Sequence, residues 1–337
     1  TMIHVIDVQS RATIQDLGRF GLRRFGISHC GAMDKLALRA GNILLGNAEG
    51  APAIEVPLGG ITLQFQQDMN FCVTGAFYEM ALDDKPVFAY WRYQARAGQV
   101  LKMVRAKIGM YGYLCVQGGF IFPQELNSCS TDLRAQIGGV EGRCLQVGDQ
   151  LQTVNDPILR SEIGIASIPL KHTIHALPSS EYQAFKRKSQ YYWWRSKWTL
   201  QSSSDRMGYR FQGQKLELKQ PLEMLSHAIQ FGSVQVPPSG QPIILMADAQ
   251  TTGGYPKIAN VIEADLGALA QVRLGSTIQL GFNEAKGDST IPVQVFDSST
   301  TPINEIIAQA KASGIKALVG PLLKQNVDAI ISNPAEV

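Results

Sequence analysis

This chain lacks C-x-x-C cysteine pairs, H-x-x-x-H histidine pairs, long apolar runs and a strong charge of either sign. Its five cysteines, Cys30, Cys72, Cys115, Cys129 and Cys144, are scattered and form no C-x-x-C pair. That argues against a disulfide framework or a zinc site and favours free thiols in a reducing cytoplasm. Its five histidines include no H-x-x-x-H arrangement, which argues against a metal-dependent hydrolase, and no residue is assigned as a metal ligand. No apolar run reaches the roughly 18 residues of a membrane span. The N-terminus lacks the basic stretch and apolar core of a signal peptide, so a cytoplasmic, membrane-free protein is expected. A net charge of +3 is too weak to argue for nucleic acid. No G-x-x-x-x-G-K-[ST] loop occurs, so any ATP binding needs another device or a partner.

What the chain has is apolar content and turns. Its 337 residues are 45% hydrophobic and 18% charged, enough for two domains or one large one. Up to about residue 120 the grammar is strand and turn, as in the alternation of Ile61, Leu63 and Phe65. One helix is expected where Met33, Leu36, Ala37, Ala40, Ile43 and Leu44 share a face before Gly46-Asn47, plugging a barrel end. Pattern fades near residues 150–180, which sets a lobe boundary. Further helices are expected over Glu181–Trp194 and Lys257–Val272, with strands at Gly208–Leu218 and Ile243–Met246. The aromatic run Tyr191–Trp194 with Trp198 reads as core or a subunit contact. After about residue 281 the text changes to β-α-β-α, the grammar of a parallel sheet. The expected domains are therefore 1–165, 166–280 and an appended tail, 281–337, that packs poorly.

Four polar clusters stand out. The richest follows the rigid turn Pro237-Pro238-Ser239-Gly240 and the apolar strand to Met246: Asp248, Gln250, Thr251, Thr252, Gly253, Gly254, Tyr255 and Lys257. Gly253-Gly254 could form an anion nest, Lys257 at a helix start could add a charge, and Asp248 could orient or act as acid or base. A tight turn with threonine caps is the plainer alternative. The second cluster, Asp205-Arg206, offers an anion clamp, because a guanidinium reads carboxylates and phosphates bidentately; a surface arginine in a hairpin is the alternative. The third, Asp16 with Arg19 and then Asp34, could be a turn ion pair and helix cap. In the fourth, Asn127 to Arg134, hydroxyls beside Asp132 and Arg134 could orient a carboxylate or phosphate, or merely cap their own loop. Cys129 lacks a histidine to activate it and reads as a small buried side chain.

Taken together and in order, TIQDLGR, GAMD, CSTDLR, SDRMGYR, QVPPSGQP and DAQTTGGYPKI resemble one family over roughly residues 3–280. That family contains the C subunit of 5-oxoprolinase, the antagonist of the kinase inhibitor KipI, and allophanate hydrolase subunit 2, the carboxyltransferase-related part of urea amidolyase. The spelling Ser28-His29-Cys30-Gly31-Ala32 is similar to the gammaproteobacterial oxoprolinase branch. The resemblance implies a mainly β protein with a few helices, built as two cyclophilin-like β-barrel lobes. It implies partners, subunits B and A, and ATP with Mg at the level of the complex, opening 5-oxoproline to L-glutamate. A lactam is a poor electrophile, and phosphorylating its carbonyl oxygen creates a leaving group whose charge must be stabilised. On this reading Asp248, Lys257 and Arg206 are the expected catalytic residues. Gln250, Thr251, Thr252, Gly253, Gly254, Tyr255, Ser239, Asp16, Arg19 and Asp132 are the expected substrate or phosphate contacts. Two alternatives are a biotin-dependent carboxyltransferase, whose biotin carrier would be another chain, and a non-enzymatic antagonist of a KipI-like inhibitor. From about Ser276 the resemblance changes: the tail around Gly320-Pro321-Leu322-Leu323-Lys324 is similar to part of the lipoprotein that activates penicillin-binding proteins.

Overall fold

The computed structural model describes residues 2–160 and 162–281, together with positions 305 and 308. The chain divides into two compact units, Thr1–Phe282 and Asn283–Val337, and the elements below belong to the first. The expected β-α-β-α appendage lies outside the described residues.

Alternating apolar residues build the first lobe. Its strands are β1 (Met2–Val8), β2 (Thr13–Gln15), β3 (Ala53–Pro57), β4 (Ile61–Phe65), β5 (Met69–Leu82), β6 (Lys85–Pro86), β7 (Tyr93–Ala95), β8 (Val100–Val116) and β9 (Gln150–Gln152). They form one sheet of nine strands with the path β2-β3-β8-β4-β1-β9, and β5 also pairs with β8. In β4, Ile61, Leu63 and Phe65 point inward while Thr62 and Gln64 are half-buried, as the alternation predicts. Register shifts in the long β5–β8 pair near Gly75 and Tyr78 bend the sheet, as bulges do. Ile3, Ile14, Ile54, Phe65, Phe71 and Leu114 fill its core.

The second lobe is a closed barrel. Its strands are β10 (Thr173–Pro178), β11 (Lys197–Leu200), β12 (Gly208–Gln212), β14 (Ser233–Gln235), β15 (Ile243–Leu245), β17 (Lys257–Val261) and β18 (Thr277–Gly281); β13 (His227–Ala228) and β16 (Thr252–Gly253) form a separate ribbon. The barrel order is β10-β17-β14-β15-β12-β11-β18, closed because β18 pairs with both β11 and β10. Trp193 and Trp198 are fully buried inside this lobe with ring centroids 5.7 Å apart, so these two aromatics are core, while Tyr191 is exposed.

Three α-helices occur among the described residues of the first unit: α1 (Lys35–Leu44), α2 (Arg187–Arg195) and α3 (Glu263–Ala270). None is long and apolar enough to cross a membrane. Helix α1 starts where the Asp34 carboxylate accepts from Ala37 N at 3.1 Å. Rather than plugging a barrel end, it lies at the seam, against β5, β8 and α3. Its buried face is also shifted: Ala37, Leu38, Gly41 and Leu44 are inside, while Leu36 and Ile43 are more than half exposed. The cause is close approach, since a Cβ at Gly41 would stand 2.7 Å from Cys115 Sγ.

Two expected helices are corrected. Lys257–Val261 is barrel strand β17, paired with β10 and β14, and the helix begins only at Glu263 after an extended Ile262. Strand pairing of Ile258 and Val261 overrides the helical pattern. Glu181–Trp194 is broken at an extended Phe185, which bridges to Leu218, so only Arg187–Arg195 is α-helical. The strand expected over Gly208–Leu218 stops at Gln212, where Gly213 N turns to the Gln241 side chain.

Gln271, just past α3, pins the lobes together. Its Oε1 accepts from Met110 N and Tyr111 N at 2.9 and 3.0 Å, and its Nε2 donates to Asp34 Oδ2 and Tyr111 O at 2.9 and 2.8 Å. Only 3% of it is exposed, so every amide position is used inside the protein. Replacing it by leucine keeps the volume but strands these groups. Gln271→Leu is expected to cost about 1–3 kcal/mol, read as a lowered midpoint in urea unfolding.

Candidate functional site

A cavity of about 920 Å³ opens between the lobes, lined by residues from three of the four polar clusters. Gly26 to Ser28 and Asp132 to Ala135 come from the first lobe; Asp205 to Met207, Asp248 and Gln250 to Thr252 come from the second. Ser28 Oγ donates to Ala249 O at 3.0 Å and Arg23 Nη2 to Gln250 O at 3.4 Å, which ties the two sides. The volume falls within the roughly 300–1,000 Å³ typical of small-molecule pockets.

Beside this cavity sits an ion triad. Arg206 donates to both oxygens of Asp248 at 2.9 and 2.8 Å, to the Gly31 carbonyl at 2.6 Å, and to Glu55 Oε1. The Glu55 side chain is 1% exposed, and its other oxygen accepts from Tyr113 Oη at 2.7 Å and Met33 N at 2.9 Å. Gly31 has a left-handed φ of +84°, and a Cβ there would lie 2.8 Å from Gly18 N. Burial alone would depress Arg206, but Asp248 and Glu55 hold it well above its ordinary value. Burial pushes Glu55 up against the pull of Arg206 and its two hydrogen-bond donors. The expected anion clamp is therefore already occupied by carboxylates of the protein itself.

Other expected contacts are corrected in the same way. Asp16 and Arg19 do not pair with each other: Asp16 accepts from Ser128 Oγ, Ser130 Oγ, Cys129 N and Gly18 N at 2.6–2.8 Å. Arg19, fully buried, donates to Glu125 O at 2.9 Å and Ser128 O at 3.4 Å. Both hold the 125–131 loop in place behind the cavity wall. Asp132 lines the cavity, yet its Oδ1 accepts from Arg134 N and Ala135 N at 3.0 Å, a capped turn. Asp205 does the same for Met207 N and Gly208 N at 2.8 and 3.2 Å. Cys129 is buried, and that burial with Asp16 beside it pushes its thiol up to about 11.

Of the richest cluster, Asp248, Gln250, Thr251 and Thr252 reach the cavity, whereas Gly253, Gly254, Tyr255, Lys257 and Ser239 do not line it. Gly253 pairs with His227 in the β13–β16 ribbon, and neither glycine has a positive φ, so no anion nest forms. Lys257 opens a strand instead of a helix; its N donates to Glu181 Oε2 at 3.0 Å and its Nζ to Ala228 O at 3.5 Å. Ser239 Oγ accepts from Gln241 N at 3.3 Å within the proline-rich turn, and Tyr255 is 45% exposed.

Sequence reasoning missed three residues. Glu55 carried a signal, a lone carboxylate between Ile54 and Val56 in an apolar strand. Arg134 lay inside a noted cluster but was not singled out, and Arg11 carried no local signal. Both line the cavity, and among the described residues neither guanidinium makes a hydrogen bond or ion pair.

The comparisons with known proteins follow this division of the chain. Residues 25–282 match the family model for the carboxyltransferase domain, subdomain A and B, and residues 266–337 match that for LppC putative lipoprotein. The overlap, 266–282, contains the change expected near Ser276. The C subunit of 5-oxoprolinase from Haemophilus influenzae is 90% identical over 278 residues, 82% of this chain and 90% of that protein. Its namesake from Escherichia coli K12 is 49% identical, again covering 82% and 90%. The tail is 67% identical over 64 residues to the penicillin-binding protein activator LpoA of H. influenzae, 19% of this chain but 11% of that protein. Among solved structures, TTHA0988 superposes with a TM-score of 0.75 at 29% identity. It covers 83% of this chain, which spans 55% of that one.

The triad and a nearby histidine each make the site testable. Arg206→Ala leaves Glu55 and Asp248 as uncompensated charges and should cost about 3–5 kcal/mol in equilibrium unfolding. Lys257→Ala should stay within about 0.5 kcal/mol of the parent. Half-buried His29 is held from 6.5 down to about 4 by burial and by the charges of Arg23 and Lys35. A depressed histidine takes up its proton later when folded than when unfolded. Its stabilisation is complete above pH 6.5 and is lost as pH falls toward 4. Burial-raised Asp34 and Glu55 act in the opposite sense over that range. Burial pushes Asp149 and Asp265 up, but their hydrogen-bond and charge partners outweigh it and hold both below the usual value, so their stabilisation is lost only at lower pH. His29→Phe should therefore flatten the fall in melting temperature between pH 6.5 and 4 relative to the parent; an unchanged slope counts against this assignment.

Proposed function

Because the chain belongs to the carboxyltransferase domain family, subdomain A and B, we propose that it is the C subunit of an ATP-dependent 5-oxoprolinase, acting with subunits A and B. The complex would open 5-oxoproline to L-glutamate as ATP is hydrolysed to ADP and phosphate. A cytoplasmic location goes with this reading. The observation that carries it is the 90% identity to the H. influenzae protein of that name across 90% of its length. The cleft supports it, since three clusters separated in sequence converge on a cavity sized for a small polar ligand.

The carboxylates around the cavity do not match the Mg of MgATP. Among the described residues the cavity lining holds no lysine, the adjacent glycines form no nest, and the three aspartates are engaged by Arg206 or by their own turns. We therefore assign nucleotide chemistry to the complex and small-molecule positioning to this chain. Asp248 retains the strongest case among the expected catalytic residues as a group that touches substrate, because its side chain is 15% exposed and borders the cavity.

The test is reconstitution. Mixed with subunits A and B, the chain should restore ATP hydrolysis that depends on 5-oxoproline, and alone it should be inactive. Equal activity from A and B without this chain would sink the proposal.

A further inference from the structure

The cavity's two walls differ in what they offer a ligand. On the first-lobe side stand Arg11 and Arg134, whose guanidinium groups make no hydrogen bond or ion pair among the described residues. Arg134 is carried on the Asp132 turn, with its own N–H held at 3.0 Å by the Asp132 carboxylate. That turn is anchored from behind through Ser128 and Ser130 on Asp16, each at 2.6 Å. On the second-lobe side stands Asp248, locked in orientation by two bonds to Arg206. A carboxylate has about four acceptor positions, and Arg206 takes two. The remaining two are open to an N–H donor from the cavity.

We propose that this cleft selects a small amide acid by both ends: Arg11 and Arg134 bind its carboxylate, and Asp248 accepts a hydrogen bond from its amide N–H. A guanidinium binds a carboxylate through a planar fork, while an amide N–H seeks an acceptor that is already fixed. The walls belong to different lobes, so a ligand with only one of these groups engages only one lobe. Arg206 and Glu55 position Asp248 and do not touch the ligand. This deepens the functional reading above and rests on it for the choice of 5-oxoproline as the probe.

Three ligands separate the terms when titrated against the intact chain by calorimetry or NMR. 5-Oxoproline has both groups, 2-pyrrolidinone lacks the carboxylate, and cyclopentanecarboxylate lacks the amide. The parent should bind 5-oxoproline at least about tenfold more tightly than either analogue. Arg11→Ala/Arg134→Ala should remove that advantage over 2-pyrrolidinone while leaving 2-pyrrolidinone binding unchanged. In the reconstituted complex the same variant should raise KM for 5-oxoproline by about tenfold with kcat nearly unchanged, the mark of lost ground-state binding. Both arginines are exposed, so the variant should fold as the parent does. Unchanged 5-oxoproline affinity in the variant, or no binding by the parent, overturns the subsite. If the parent complex still shows oxoproline-dependent ATP hydrolysis, the functional reading stands. Arginine-dependent binding without such hydrolysis sinks the functional reading and keeps the subsite.

Discussion

One guanidinium shared by two carboxylates of different lobes organises this molecule. Arg206 lies between β11 and β12, Asp248 follows β15, and Glu55 stands in β3 of the other lobe. Removing any of these charges from water singly costs several kcal/mol, so each is tolerated inside only in the company of the others. The triad carries a formal excess of one negative charge. Tyr113 Oη and Met33 N offset part of that by donating to Glu55, and the Gly31 carbonyl takes a further Arg206 proton. These requirements fix the Ser28–Ala32 loop, the start of α1 and the face of the second barrel at once. Docking of the lobes and shaping of the cavity are thus the same event.

The seam has a second, neutral joint deeper in the molecule. Gln271 reaches from the second lobe to the backbone of Met110 and Tyr111 and to the carboxylate that caps α1. A neutral amide makes directional bonds without the desolvation cost of an ion, which suits a position walled by the core. The charged joint lies where the cavity begins. Stability is therefore drawn from a well-satisfied polar network, and the charge is placed where a polar ligand could use it. The arrangement limits how far either lobe can rotate without stranding a buried group.

Much of the fold was legible because strand alternation is a local property. Ile61, Leu63 and Phe65 announce their face without knowledge of any partner. The Lys257–Val272 segment was not, since the neighbours that make its first half a barrel strand, β10 and β14, are distant in sequence. The same limit applied to the site. Asp16, Arg19, Asp132 and Arg206 were visible as polar groups in unusual clusters, and three of the four clusters do gather around one cavity. Their partners were invisible. A charge on paper looks available, whereas in the structure most of these groups are already consumed by Ser128, Glu125 O, turn N–H groups and Glu55. Of the two arginines left over, Arg134 lay inside a noted cluster without being singled out, and Arg11 has nothing near it in sequence that marks it.

This consumption of charge constrains the chemistry more than the fold does. Phosphoryl transfer needs cations or converging N–H groups free to meet developing negative charge. The Gly253-Gly254 backbone is committed to a ribbon or lacks the required turn, Lys257 faces a backbone carbonyl, and Arg206 is neutralised. What the cleft retains is an oriented acceptor and a pair of forked donors on opposite walls. Such a site can contribute by holding a small molecule in one pose, which removes translational and rotational freedom before any bond changes. In a multisubunit enzyme that contribution is separable from activation of the carbonyl. A polypeptide with this cleft has reason to be present even where activation of the carbonyl is left to another subunit.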